Sequence, residues 1–357
     1  MKHKCTIFVI FLISILTVNI YSNSKGVRNY SKGPLFGKNF YIPYLIYYNF
    51  PSLSAKEGRR YDFGYHLSLY YTNDFKNLLY KNSNNNEIFC AEVIRDYESC
   101  VVELGVDYYI LKNLQIGFDT RIISYYGGFL DTVVENYHHA FNFPNGGREY
   151  TPRDQLYINI QNNNNVSLFL DKSTVSFGDI DTWLKYSFYN NRWISLALIG
   201  AFKIPAGQLC CLSGSGYPDF GFQILTDIRP FWLFTFYCQA GMVLPIDSII
   251  PGIPSKPYPM FNGLAGVELN PIKLFSLIVQ LNIKTSSMSS NIIHRSDYLG
   301  NYDYLSLPQI NLLAGFIFKH KDFKWQLYFE EDAFTNAGTD FTINLMFSQR
   351  IKMDRGM

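Results

Sequence analysis

Apolar and polar residues alternate with a period of two along most of this chain. Tyr61, Phe63, Tyr65, Leu67, Leu69 and Tyr71 alternate with Arg60, Asp62, Gly64, His66 and Ser68. Cys100, Val102, Leu104, Val106 and Tyr108 alternate with Ser99, Glu103, Gly105 and Asp107, and Leu114, Ile116, Phe118 and Ile122 with Gln115, Gly117, Asp119 and Arg121. The rhythm recurs at 174–189, 193–204, 219–229, 232–243, 259–269, 273–285, 305–319, 323–332 and 339–351. A period of two places one apolar and one polar face on a β-strand. The pattern predicts twelve strands of about ten residues or more, the length a tilted membrane-crossing strand needs.

The links between these strands alternate in length. Leu111–Asn113, Asn190–Arg192, Pro230–Phe231, Asn270–Ile272 and His320–Asp322 are short, whereas 74–97, 126–173, 205–218, 244–258, 286–304 and 333–338 are longer. Short and long links in strict alternation predict an all-β, transmembrane, up-and-down antiparallel β-barrel over residues 60–351, with a tail at 352–357. The short turns and both termini then lie on the periplasmic side. Trp232 and Trp325 face outward just after short turns, where an interfacial aromatic girdle belongs, while Trp183 shares the polar parity of Asp181 and Lys185. Fourteen strands is the alternative count. Glu87–Arg95 reads as an extra strand or an extension of the second, and Leu156–Ile160 with Val166–Leu170, around Asn162–Asn165, as an outer hairpin or two further strands.

Composition narrows the class. Of 357 residues, 48% are apolar and 17% charged, which excludes a disordered chain. Lys plus Arg is 31 against 29 for Asp plus Glu, so there is no basic footprint and no nucleic-acid partner is expected. Lys2, His3 and Lys4, the apolar run Cys5–Val18, and the small residues Ser22 and Ser24 predict a Sec-type signal peptide over 1–24, hence export to the outer membrane. The segment 25–59 carries the apolar stretch Asn39-Phe40-Tyr41-Ile42-Pro43-Tyr44-Leu45-Ile46 and reads either as inserted in the lumen or as packed on the periplasmic rim. Cys90, Cys100, Cys210, Cys211 and Cys238 are odd in number and lack a CxxC spacing. Cys90 with Cys100, or Cys210 with Cys211, offers a disulfide, though unpaired thiols are expected for most.

Inward parity assigns the lumen Asp62, His66, Glu103, Asp107, Asp119, Arg121, Asp181, Lys185, Lys203, Asp227, Glu268, Lys284, Lys324 and Glu330. Register counted from the turn at Lys112 sets Glu103 opposite Arg121 as a neutralising pair. These residues read as a polar conduit of mixed sign, or as a paired polar filling. The loop 126–173 holds Leu130, Val133, Val134, Tyr137 and Phe141 at helical spacing, opposite Asp131, Glu135, His138, His139 and Asn142. An amphipathic helix over 130–142, stopped by Pro144 and Gly146–Gly147, is a lid over the mouth or a cover across its rim, with Asp131, Glu135, His138, His139 and Arg148 as gating candidates. Glu135 with His138 and His139 lacks a second ligand cluster, so no metal and no cofactor are expected. No catalytic residue stands out. A lipid hydrolase would pair His138 or His139 with Ser124, Ser213 or Ser215. Gly214–Ser215–Gly216 lacks the helix a phosphate loop needs and reads as a turn.

Several short motifs occur in order: Gly33–Pro34–Leu35, Asp96-Tyr97-Glu98 (with Tyr97 where glycine is the expected residue), Gly127–Gly128 followed by Asp131, then His138, Phe141, Pro144 and Arg148. Gly178–Asp179, Lys203–Ile204–Pro205–Ala206–Gly207 and Gly214–Ser215–Gly216 complete the set. Over residues 33–245 the chain thereby resembles DUF3187, a bacterial outer-membrane β-barrel family defined as a domain of unknown function. The resemblance implies an outer-membrane barrel and lends no catalytic or ligand residues. The function expected is a channel or passive transporter for a small solute, hydrophobic ones included, with that solute and outer-membrane lipid as partners. A plugged, surface-exposed structural or adhesive barrel is the alternative.

Overall fold

The computed structural model describes residues 30–42, 44–84, 87–141, 148–162, 165–247, 257–287, 308–332 and 338–353. The expected signal peptide lies outside the described residues. The strands are β1 (Phe63–Asn84), β2 (Glu87–Leu111), β3 (Leu114–Tyr126), β4 (Tyr157–Asn162), β5 (Asn165–Leu170), β6 (Thr174–Phe177), β7 (Ile180–Asn190), β8 (Ile194–Ile204), β9 (Asp219–Ile228), β10 (Phe234–Pro245), β11 (Met260–Leu269), β12 (Phe275–Lys284), β13 (Gln309–His320), β14 (Phe323–Asp332) and β15 (Phe341–Ile351). All but β4, β5 and β6 form one closed antiparallel barrel of twelve strands, sealed where β1 pairs β15 from Phe63 opposite Ile351 to Asn73 opposite Phe341. Each strand meets its neighbour through a short turn or a long loop, so the topology is up-and-down.

The count of fourteen is set aside. β4 and β5 are a hairpin that pairs with the outer stretch Ala91–Asp96 of β2, and β6 pairs with Ile122–Tyr125 of β3. Glu87–Arg95 extends β2. The span 74–97, expected as a link, is mostly ladder, because β1 and β2 stay paired as far as Asn84 opposite Glu87.

The sidedness follows from the alternation. Leu104, Phe118 and Ile224 are 51%, 44% and 50% exposed, while their chain neighbours Glu103, Asp119 and Gln223 are 1–3% exposed. An apolar band running around a closed sheet exceeds any patch a water-soluble surface carries and matches the lipid-facing belt of an outer-membrane barrel. Trp193, Trp232 and Trp325 are exposed beside the short turns. Trp183, the exception in the pattern, points inward. It faces Gly117 across the β3–β7 ladder, where a Cβ would sit 2.1 Å from the indole, and its Nε1 donates to Asp119 at 3.2 Å.

The long loop carries one helix, α1 (Asp131–Phe141). Its packing differs from the expected stripe: Asp131 and Val134 are buried, and Val133 and Tyr137 are exposed. The reason is polar anchorage at its start, described below. Cys90 and Cys100 lie on one extended strand, ten residues apart, far beyond disulfide reach. Cys100, Cys210, Cys211 and Cys238 are free thiols, with the Cys210 and Cys211 sulfurs 3.6 Å apart and unbonded.

Candidate functional site: the occluded lumen

Polar wall residues inside a barrel must be matched by water or by protein. Here the match is the N-terminal segment. Residues 30–32 enter beside the short turn at 270–274, where the Lys32 ammonium donates to the Ile272 and Phe275 carbonyls at 3.3 and 3.2 Å. The chain climbs to a tip at Tyr41, Ile42 and a single 3-10 turn (Tyr44–Ile46), and descends to Gly58, whose N–H meets the Lys112 carbonyl in another short turn. Both ends of this plug lie at the mouth that carries the short turns. Leu35, Tyr41, Ile42, Tyr44, Leu45, Ile46, Tyr47 and Tyr48 are all buried.

The plug belongs to no β-ladder, so its backbone groups need partners from elsewhere. The wall supplies them. Gln280 binds both backbone groups of Leu35, accepting its N–H at 3.1 Å and donating to its carbonyl at 3.3 Å. Gln326 accepts from Phe36 N–H at 2.9 Å, and Tyr70 donates to the Phe36 carbonyl at 3.0 Å. Wall cations take carbonyls: Arg95 that of Ile42 at 2.7 Å, Arg121 that of Leu45 at 3.0 Å, Lys203 that of Ile46 at 2.5 Å, and Lys185 that of Ser54 at 3.0 Å. Wall acids take amides: Asp219 that of Tyr48 at 2.7 Å, Asp227 that of Ala55 at 3.0 Å, and Glu268 that of Lys32 at 2.9 Å. Lys284 donates to Asn49 at 3.0 Å.

At mid-depth Lys38 of the plug projects into three wall carboxylates. Its Nζ is 3.0 Å from Glu103, 3.1 Å from Asp119 and 3.6 Å from Asp181. Burial alone would lower its pKa, but Asp119, Glu103 and Asp181 outweigh burial and hold it above the ordinary lysine value. His66, Glu103 and Asp119 bring their ligand atoms within 4.8 Å of one another, a set able to hold a metal ion. The Lys38 ammonium lies against both carboxylates and takes the cation's part.

The fourteen expected lumenal residues are all on the inner face. Asp107 and Lys324 are partly exposed near the short-turn mouth, and the others are buried. Glu103 does stand opposite Arg121 in the register, but the expected pair is not formed. The Arg121 guanidinium turns to Asp181 at 3.0 Å and to the plug, and Glu103 turns to Lys38. Parity alone predicts register, whereas partner choice depends on a segment outside the sheet. Lys38 had no signal in the strand pattern, because it precedes the first strand.

Gly33–Pro34–Leu35 belongs to the plug, while residues of the other ordered motifs gather into two knots at the mouth with the long loops. Asp179 pairs with Lys203 at 2.9 Å and accepts the Ala206 and Gly207 N–H groups at 3.0 and 2.8 Å. Lys203 donates to Ser215 at 2.7 Å, and a Cβ on Gly214 would collide with Asp179 at 2.3 Å. In the second knot Glu98 accepts the Phe129 and Leu130 N–H groups at 3.1 and 2.5 Å at the start of α1. Gly128, at φ +85°, passes so close to Glu98 that a side chain would clash. Arg148 binds Asp131 and donates to Asn73 at 2.9 Å and Asp340 at 2.8 Å, which fixes α1 to the middle of β1, where its pairing with β15 ends, and to the start of β15. Glu135 accepts from Arg153 at 2.5 Å. His138 and His139 lie in the last turn of α1, His139 exposed. Pro144 and Gly146–Gly147 lie outside the described residues. Ser213 is hydrogen-bonded to Gln208 at 2.8 Å.

The fold is similar to that of an outer-membrane channel from Pseudomonas putida F1, at 10% identity and a TM-score of 0.51, over 83% of this chain and 97% of that one. It also aligns with the NanC porin (7% identity, TM-score 0.44, 81% and 100% covered) and the toluene transporter TbuX of Ralstonia pickettii (8%, 0.38, 83% and 90%). At such identities the first likeness is one of fold, that of an outer-membrane barrel. No curated protein matches the chain. The sequence model of one family matches residues 10–351, the plug and every barrel strand included, and the chain belongs to that family, DUF3187, proteins of unknown function.

Proposed function

We propose that this protein is an outer-membrane channel for a small solute, held shut by its own residues 33–55. The observation that carries the reading is the wall that faces the plug. Arg121, Lys203, Lys284, Asp219, Asp227 and Glu268 are buried, and besides their other partners each makes a hydrogen bond to the backbone of the inserted segment. A barrel closed for good is filled at lower desolvation cost by apolar side chains. A charged wall is costly while covered and useful once water and solute replace the cover. Asp62, Glu103, Arg121, Lys185, Lys284 and Lys324 line the path in this reading, and α1 with its Arg148 clamp forms an outer lid.

The test is conductance of the refolded mature chain in a planar bilayer, beside a variant lacking 33–55 and the point variant Lys38→Met. Heat-modifiable migration establishes that each is folded. Stable single-channel steps that are rare in the wild type and frequent in the variants support the channel. Folded variants that stay silent favour the plugged structural barrel, a reading supported by the burial of Tyr41, Ile42, Tyr44, Leu45 and Ile46.

A further inference from the structure

Between the plug and the wall, at the periplasmic mouth, lies a cavity of about 410 Å³. Lys319 of β13 and Lys324 of β14 are direct partners across the ladder, and both line it. Like charges set directly opposite destabilise a sheet, so this placement works against the fold. The acids around the cavity do not relieve it. Asp107 is held by Arg350 at 2.8 and 3.2 Å, Asp322 by Lys352 at 2.6 Å, and Glu57 by Lys112 at 3.6 Å. Among the described residues neither the Lys319 nor the Lys324 ammonium has an ion pair or hydrogen bond. Lys56 of the plug adds a third cation on the cavity lining. Its pKa is pushed down to about 8, by burial first and then by Arg229, with Lys319 adding to the same direction.

We infer that this cavity is a binding site for a small solute bearing a carboxylate or phosphate, whose oxyanion sits between Lys319 and Lys324. Two ammonium groups supply point charges and several N–H donors, which suit either oxyanion. The volume accommodates a small organic acid or phosphate ester. Both lysines are on the lumenal parity of their strands, so the wall separates the site from bilayer headgroups. The site exists with the plug in place and does not depend on the channel reading.

The experiment is equilibrium binding of inorganic phosphate and of succinate to the detergent-solubilised mature protein at low ionic strength. The variants are Lys319→Gln/Lys324→Gln and, as a control at the same mouth but off the cavity lining, the exposed Lys273→Gln. Saturable binding of at least one probe is expected, weakened about tenfold or more in the double variant and little changed in the control. Phosphate alone or succinate alone assigns the oxyanion class. The double variant is also expected to unfold at a higher temperature than wild type without probe, since it loses a repulsion, and to gain nothing from added probe. Absence of saturable binding by both probes overturns the site, as does equal binding by wild type and double variant. Should the double variant fail to refold, the single variants Lys319→Gln and Lys324→Gln carry the same comparison.

Discussion

The ammonium of Lys38 sits 3.0 Å from the carboxylate of Glu103, joining a segment with no ladder of its own to the centre of the barrel wall. Because Asp119 and Asp181 share the same ammonium, its loss strands three buried acids together. Lys38→Met is expected to weaken plug seating by about 3–5 kcal/mol, the usual cost of breaking a buried ion pair from one side. Protease accessibility of 33–55 in the refolded barrel measures it; unchanged protection would remove Lys38 from its role as anchor.

Plug lysines respond to pH in opposite ways. Lys38 is raised above the ordinary lysine value, so its stabilisation is complete below that value and fades only as pH rises through the higher folded one. Lys56 is lowered to about 8, so its charged form opposes folding, and stability rises as pH climbs from about 8 to the ordinary lysine value. The urea midpoint of the refolded barrel is therefore expected to increase from pH 7.5 to 10, and to lose much of that increase in Lys56→Gln. A midpoint that falls over this range contradicts the assignment.

Arg148 and Asp131 hold the helix-bearing loop, not the plug. Arg148→Ala is expected to free α1 from the rim at a cost of about 3–5 kcal/mol to local order, read as new proteolytic cleavage within 127–155. Conductance should change far less than in the plug deletion. A large conductance rise in Arg148→Ala would move the main closure to the loop.

Trp183 fills the space that Gly117 leaves. Trp183→Ala is expected to destabilise the barrel by about 3–5 kcal/mol, and Gly117→Val to destabilise it as well, because its Cβ would fall 2.1 Å from the indole. Urea unfolding followed by heat modifiability checks both.

Thiol labelling reports sidedness. Cys210, beside the outer knot, is expected to react with a membrane-impermeant maleimide on intact cells, whereas Cys238, on the exterior apolar parity of β10, is shielded by lipid. Absence of Cys210 labelling on intact cells, with labelling after permeabilisation, would reverse the topology.

The barrel was legible because its physics is repetitive. A lipid-facing Leu104 or Phe118 beside a buried Glu103 or Asp119 repeats the same contrast on strand after strand, and turn length marks the side of the membrane. The plug was half legible: an apolar run ahead of the first strand signals burial, but an irregular segment has no period to say against what. Lys38 and the two rim knots escaped for a related reason. Asp179, Lys203 and Ser215, or Glu98, Asp131 and Arg148, meet only after distant loops are brought to one rim, and their motifs announce an order along the chain without announcing contact. Glu103 shows the limit most plainly, since parity names its neighbour in the sheet and a residue outside the sheet names its partner.

The plug goes in and comes out through the same mouth, at Lys32 and at Gly58. It is therefore a bight of rope laid into a cylinder, not a thread drawn through one. No stretch of described backbone runs from plug to wall across the far opening, so the loop can be pulled back through the mouth it entered without parting a single rung between strands. Force applied to the chain ahead of residue 30 would act on the wall-to-plug hydrogen bonds one after another, as a zipper opens, while the cylinder stays whole.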